Sequence, residues 1–329
     1  MSKKAFITGI SGMDGYNLSV YLLSLGYEVH GIIRRHSVSS TQDVRIANLN
    51  VTTYYGDLLD QSSLERLLND VQPDEIYNLA AMSHVRISFE IPQFTCLTNS
   101  IGVLNILEAY RKVVPKAKFY QASSSEMFGS SVDADGYQRE STPMHPVSPY
   151  GVSKLFGYHV VNVYRQSYGL FCCSGILFNH SGPMRGEAFV EAKIVKAAVR
   201  IKLDLDKQLE LGNIFAYRDF GHSKDYVKAM HLILQQDKPD NYVVATGITK
   251  SINDVANYVF EKLDLSTVFH LVIDPKHKRP QELDYLKGDS CKIRALGWTP
   301  EYTFESMLDE MIAYQMKIYG GKTFKPEYY

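Results

Sequence analysis

No stretch of this chain is apolar for long enough to cross a bilayer. Its start, "MSKK", runs straight into a short strand pattern without the apolar core and cleavage site of a secretory leader, so the expectation is a cytoplasmic protein with no membrane partner. Charge of one sign is lacking too. With 35 basic against 36 acidic side chains and a net charge of -1, the chain has no sustained positive field of the kind a nucleic-acid binder uses. Cysteine is scarce: Cys96, Cys172, Cys173 and Cys291 form neither a CxxC pair nor a zinc-finger spacing, so they read as reduced core thiols, with no metal site expected. A Gly/Ser linker and an internal repeat are also missing. What remains is a 329-residue chain, long enough for one large domain or two joined ones, whose natural partner is a small molecule.

Short β-rich runs alternate with stretches of helical period: "KAFITG", Asp14 to Leu25, "YEVHGIIR", "TTYYGD", Ser62 to Asn69, "EIYNLA", Pro92 to Lys112, and "KFYQASS". The strands are apolar without strict alternation, which predicts a parallel sheet covered on both faces. A helix from about Pro149 to Ser167 and the strand "FCCSGILF" follow, and past Asn179 shorter pieces take over. The fold class is therefore α/β, a Rossmann-type doubly wound parallel sheet. Residues 1–179 form a dinucleotide-binding domain carrying the Tyr/Lys helix, and residues 180–329 mainly form a smaller interleaved α/β lobe for substrate. A cleft between the lobes is the natural ligand site.

"GISGMDG" follows the first strand and opens the first helix, the context that turns a glycine triplet into a dinucleotide fingerprint. Gly9, Gly12 and Gly15 let the backbone approach a pyrophosphate, and the helix start, with Met13 and Asp14, supplies free N–H groups and a positive dipole end. The second strand ends in "GIIRRHS". Where an NAD site carries an acidic residue for the ribose, Arg34 and Arg35 stand ready to grip a 2′-phosphate, so the expected cofactor is NADP. Asp57 and Leu58 lie past the third strand, where adenine belongs, and Leu79, Ala80 and Ala81 end the fourth beside the cofactor.

The fifth strand ends in "SSSE", and the next helix carries "SPYGVSK" with Tyr150 and Lys154 one turn apart. Ligands in such sheets bind outside the carboxyl ends of the strands, so Ser124, Ser125, Glu126, Tyr150 and Lys154 converge on one crevice. A phenol with a pKa near 10 is a poor base at neutral pH; a lysine beside it and a positive nicotinamide are expected to lower it, with Ser124 orienting the same substrate hydroxyl. An isolated YxxxK match more often marks a surface pair, and the phosphate loop with "SSSE" is what tips this one toward chemistry.

With those motifs in place the sequence resembles the extended short-chain dehydrogenase/reductases that modify nucleotide sugars, and within them the GDP-mannose 4,6-dehydratases. The resemblance runs nearly end to end, through "FITGISGMDGYNLSVYLLSLGYEVHGIIRR", "GDLLDQSSLERLL", "PDEIYNLAAMSHVRISF", "GILFNHSGPMRGEAFV", "RDFGHSKDYVKAM" and "RPQELDYLKGD". It implies that GDP-mannose, or a related GDP-sugar, is oxidised at C4, loses water across C5 and C6, and is reduced at C6, with NADP regenerated. It assigns Tyr150 with Lys154 to the C4 hydroxyl and Glu126 to the C5 proton. Ser83, Asn179, His180, Arg185, Val190, Lys193, Arg218, Arg279 and Glu282 match its GDP-sugar pocket; each charge taken singly could equally be a solvated face. Arg45 matches a segment that in the family bridges subunits across the cofactor site, so a homodimer or homotetramer is expected.

Glu126 argues against a 4-epimerase, which needs no base at C5, and Ser125 separates the chain from the dTDP-glucose type, which carries aspartate there. Decarboxylases of UDP-glucuronate can share the serine–glutamate pair, leaving the C-terminal half to exclude them. The family usually has glutamine at Met13 and Met82, threonine at Ser124, glutamate at Ser181, threonine–arginine at Glu191 and Ala192, and tryptophan at Phe220. A GDP-heptose 4,6-dehydratase and another GDP-sugar epimerase or reductase are the enzyme alternatives; an NADP-binding regulatory module is the non-enzymatic one.

Overall fold

The computed structural model of the chain describes residues 2–35, 45–277 and 280–320. Seven parallel strands lie in the order β10-β6-β5-β4-β1-β2-β3, where β1 is Lys4–Thr8, β2 Glu28–Ile33, β3 Val51–Tyr55, β4 Glu75–Asn78, β5 Lys118–Ser124, β6 Cys172–Leu177 and β10 Asn241–Val244. Every residue of β4, β6 and β10 is buried, as an apolar strand with no solvent face must be.

Side chains alternate between the two faces. Ala5, Ile7, Val29, Tyr77 and Tyr120 face a layer formed by α1 (Met13–Ser24) and a later helix, Ser223–Leu234, through Leu18, Leu22, Tyr226, Met230 and Ile233. Phe6, Ile76 and Phe119 face the opposite layer, made by α2 (Gln61–Val71), α3 (Gly102–Val113) and α4 (Pro149–Tyr168) through Leu64, Leu67, Ile106, Tyr110, Val161 and Tyr164.

Between β6 and β10 the chain leaves the sheet and begins a second lobe, which the residues after β10 complete. β7 (Asn179–Ser181) pairs in parallel with β9 (Tyr217–His222), which also pairs with β11 (Thr249–Ser251) and β13 (Tyr285–Leu286). Helices α5 (Val190–Lys202), α7 (Ile252–Lys262) and α8 (Phe304–Gly320) bury Ile194, Val195, Val199, Val255, Val259, Leu308 and Met311 in one apolar cluster. A parallel pair of β8 (Leu209–Leu211) and β12 (Leu271–Ile273) edges the lobe. The chain re-enters the first lobe through α6 (Ser223–Leu234) and lays β10 beside β6. Sequence alternation faded past Asn179 because this lobe's strands are only two to six residues long and side-by-side in space rather than in order.

The single helix expected over Pro92 to Lys112 is three pieces: a short turn Pro92–Cys96, a wide π-type turn Leu97–Ile101, and α3. One extra residue shifts the helical phase by only about a quarter turn, and such wide turns, frequent at functional sites, re-aim one side chain. Here it is Asn99, whose amide brackets the Met82 backbone, accepting from its N–H (2.8 Å) and donating to its carbonyl (2.9 Å), and also donates to Ser153 on α4 (3.1 Å). Of the four cysteines only Cys172 and Cys173 are core thiols; Cys291 is exposed and Cys96 half-buried, each on a short helix rather than a central strand.

Candidate active site

A cleft of ≈ 1220 Å³ runs between the lobes along the carboxyl ends of β1, β4, β5 and β6. Its floor is the glycine turn. Gly9 has φ +71°, and a Cβ there would stand 2.9 Å from the Ala80 nitrogen, so the strand-end backbones can touch only because it is glycine. A Cβ on Gly15 would collide with the Gly9 carbonyl oxygen, which accepts instead from the Gly12 N–H at 3.0 Å. Gly12 caps α1 without a side chain, which leaves the first-turn N–H groups open to the cleft. A cradle that no Cβ would fit and a bare helix start suit a dinucleotide pyrophosphate.

Beside it runs a buried chain of hydrogen bonds. Thr8 Oγ1 donates to Asn78 Oδ1 (2.6 Å) and accepts from the N–H groups of Leu79 and Ala80 (3.1 and 3.0 Å). Asn78 donates to Gln121 Oε1 (2.8 Å), Gln121 to the Ala122 carbonyl (3.0 Å), and Lys154 Nζ to that same carbonyl (2.9 Å). The ends of β1, β4 and β5 and the helix α4 are thereby held in one register. Asn78 ends the "NLAA" strand expected beside the cofactor, whereas Thr8, Gln121 and Asn99 are marked in the sequence only by their polarity within apolar strands and a helix face.

Ser148 caps α4 by accepting from the Gly151 N–H (3.0 Å) with Pro149 in the first turn, which fixes where Tyr150 and Lys154 emerge. Tyr150 is anchored through its N–H to Ser88 Oγ (3.2 Å). After β5 a tight turn, Ser125–Met127, presents Ser125 and Glu126; Ser124 caps it by accepting from the Glu126 N–H (3.2 Å). That turn presses on α4 so closely that a Cβ at Gly151 would stand 2.8 Å from the Glu126 carbonyl. Ser124, Ser125, Glu126, Tyr150 and Lys154 are all buried and all line the cleft.

Burial pushes the Tyr150 phenol up to about 12; the Ser124 hydroxyl beside it pulls down, Glu126 pushes up, and Arg185 pulls down. Lys154 donates to the Ala122 carbonyl, and its ammonium lies 5.9 Å from the phenol ring centroid. Burial in turn lowers Lys154 to about 8, opposed by Asp14. A lowered phenol therefore needs a further positive charge in the cleft.

Asp14 accepts from Ser223 Oγ (2.6 Å) and contacts His180 Nε2 (2.8 Å), while His180 Nδ1 reaches the Phe178 carbonyl (2.8 Å) and the ring stacks on Tyr226 at 4.5 Å. Burial would raise the Asp14 carboxyl, but His180, Ser223 and Arg185 outweigh it and hold it at about 2. Both side chains line the cleft, yet their polar atoms are spent on tying the glycine turn to the second lobe.

Asp57, Leu58, Leu79, Ala80, Ala81 and Arg34 line the same cleft, with Met13 and Ser83. Arg35 lies instead in an adjoining open hollow of ≈ 600 Å³, with Arg34, Arg66, Asp57, Asp60 and Ser63. On the second-lobe side stand Asn179, Arg185, Val190, Lys193, Arg218 and Glu282; Arg279 lies outside the described residues. Arg185 stacks flat on Phe189, 3.5 Å from its ring centroid, with its Nε buried and unpartnered among the described residues. Lys193 donates to the Glu210 carbonyl (2.6 Å) and Arg218 to that of Tyr217 (2.9 Å). Arg45 donates across the cleft to the Met184 carbonyl (3.1 Å).

Comparison with known proteins places this geometry. Residues 6–311 match a family described as GDP-mannose 4,6 dehydratase. A GDP-mannose 4,6 dehydratase of Arabidopsis thaliana is 47% identical, the match covering 94% of this chain and 89% of that protein; one of Vibrio cholerae is 41% identical over 97% and 95%. Among solved structures, a Thermus thermophilus UDP-glucose 4-epimerase in complex with NAD superposes with a TM-score of 0.83 at 27% identity, covering 95% of this chain and 98% of that one. RMD from Pseudomonas aeruginosa complexed with NADPH gives 0.80 at 25% identity, over 96% and 99%.

Proposed function

The chain belongs to the GDP-mannose 4,6-dehydratase family, and from that premise we propose how its own residues carry out the 4,6-dehydration of GDP-mannose. The observation that carries the reading is Glu126, a buried carboxylate set by a capped turn into the same cleft as Ser124, Tyr150 and Lys154. A bound nicotinamide cofactor supplies the two-electron acceptor that takes a hydride from C4 of the sugar and returns it at C6, and the positive charge the Tyr150 phenol needs. Tyr150 removes the C4 hydroxyl proton, with Ser124 orienting that hydroxyl. The 4-keto group acidifies C5–H; Glu126 takes that proton and gives it to the C6 hydroxyl, which leaves as water, and as C6 is reduced the proton held by Tyr150 goes to C5. Arg185, Lys193 and Arg218 hold the diphosphate end of the substrate. Incubation with GDP-mannose and catalytic NADP should give a product lighter by one water; its absence across the GDP-sugars, GDP-heptose included, would defeat the reading.

We propose NADP rather than NAD because Arg34 and Arg35 directly follow β2, where an NAD site carries an acidic side chain, and with Arg66 they surround the hollow beside Asp57. Replacing Arg34 and Arg35 with serine should raise the Kd for NADP by about 10- to 100-fold and leave that for NAD nearly unchanged; equal effects on both would refute the assignment. We also propose a homo-oligomer. Phe94, Leu97 and Ile101 beside α3, with Val152, Phe156 and Val163 on α4, leave large apolar side chains exposed at helical spacing. A monomer by light scattering would contradict that. Among the described residues no helix is long and apolar enough to cross a membrane, and the buried thiols Cys172 and Cys173 fit a reducing cytoplasm.

A further inference from the structure

Acidic side chains on the second-lobe side of the cleft are partnered, with one exception. Glu187 pairs with Lys196, Asp206 with Arg200, and Glu282 is engaged as well. Glu191 is different: the residue is 1% exposed and its Oε1 has no hydrogen-bond partner among the described residues, although it lines the cleft. It is the second residue of α5, on the side of the helix that also buries Ile194, Val195 and Ala198, so its place is fixed by packing. The helix start favours its negative charge but supplies no donor to the open oxygen. A buried carboxylate without a donor is costly, and the cost is removed only if something entering the cleft brings an N–H or O–H. The diphosphate of a nucleotide sugar offers neither and would repel it. The edge of the base and the hydroxyls of the sugar offer both.

We propose that Glu191 is a specificity-determining residue whose carboxylate accepts a hydrogen bond from an uncharged donor of the nucleotide sugar, an N–H of the base edge or a sugar hydroxyl. This rests on the nucleotide-sugar reading of the cleft and deepens it. A competing ligand that lacks the donor leaves the carboxylate buried and unpaired, which is how such a site rejects a close analogue.

The test is calorimetric titration of the NADP-loaded protein with GDP and with GDP-mannose, for the wild type, Glu191→Gln and Glu191→Met, with thermal melting and NADP affinity as controls. Affinity should fall in that order, by about tenfold or more for Glu191→Met, with KM moving more than kcat. A loss already present with GDP puts the donor on the base; a loss seen only with GDP-mannose puts it on the sugar. Glu191→Met binding both ligands as the wild type does would overturn the proposal. So would Glu191→Gln binding more tightly, the sign of an amide donating to phosphate. A wild-type protein that binds neither ligand would defeat the nucleotide-sugar reading itself, a result distinguishable from a failure at Glu191 alone.

Discussion

On the sheet side of the cleft the polar groups complete one another: Thr8, Asn78, Gln121 and Lys154 pass hydrogen bonds from the glycine turn to the catalytic helix. On the facing side, the segment leading into α5 leaves Arg185 Nε and Glu191 Oε1 buried without partners among the described residues. The first wall leaves two cleft-lining hydroxyls without partners among the described residues, Ser123 Oγ and Thr98 Oγ1, whereas the second leaves two charged groups to be met by the ligand. A cofactor that is regenerated in each turnover suits a rigid seat, whereas a substrate that must be distinguished from its analogues is read by groups it alone can satisfy.

The comparison breaks most sharply at the reacting groups. Tyr150→Phe removes the proton acceptor for the C4 hydroxyl and should lower kcat by about 10³-fold or more while substrate affinity holds; steady-state rates beside a binding titration check it. Next comes the seat. Gly15→Ala drives a Cβ into the Gly9 carbonyl, so it should cost about 2–4 kcal/mol of stability and weaken the cofactor before the substrate, as melting and separate titrations would show.

A smaller effect concerns Lys154, where burial lowers the ammonium to about 8. The unfolded chain then binds more protons than the folded one between about pH 8 and 10.5, so this group's contribution makes stability rise with pH across that window, and below it the buried charge is a standing cost. Lys154→Met should therefore raise the melting temperature by a few degrees at pH 7, flatten the alkaline rise, and abolish turnover. A variant that melts lower at pH 7 would show the Ala122 bond outweighing the desolvation.

The glycine turn and the Tyr/Lys helix on the sheet side were legible in the sequence, but the hydrogen bonds of Thr8 and Gln121 that join them were not. Glycines between a strand and a helix, and Tyr150 four residues before Lys154, are local patterns, and local patterns survive in one dimension. The Asp14–His180 contact joins residues 166 apart, and the one-residue insertion at Asn99 shifts the apolar phase by only about a quarter turn, so neither leaves a clear local mark. Spacing puts Lys154 near Tyr150 but does not show that the Ala122 carbonyl takes its hydrogen bond. Glu191 was visible only as an odd residue, and its burial is what gives it meaning.

Glu126 as the group that moves the C5 proton is the central claim. Turnover of GDP-mannose in deuterium oxide, followed by mass spectrometry and proton NMR, tests it most directly. The account predicts a product that has lost one water and carries one deuterium at C5, and predicts that Glu126→Gln forms neither; a dehydrated product that keeps its original hydrogen at C5, or Glu126→Gln turning over at the wild-type rate, would contradict it.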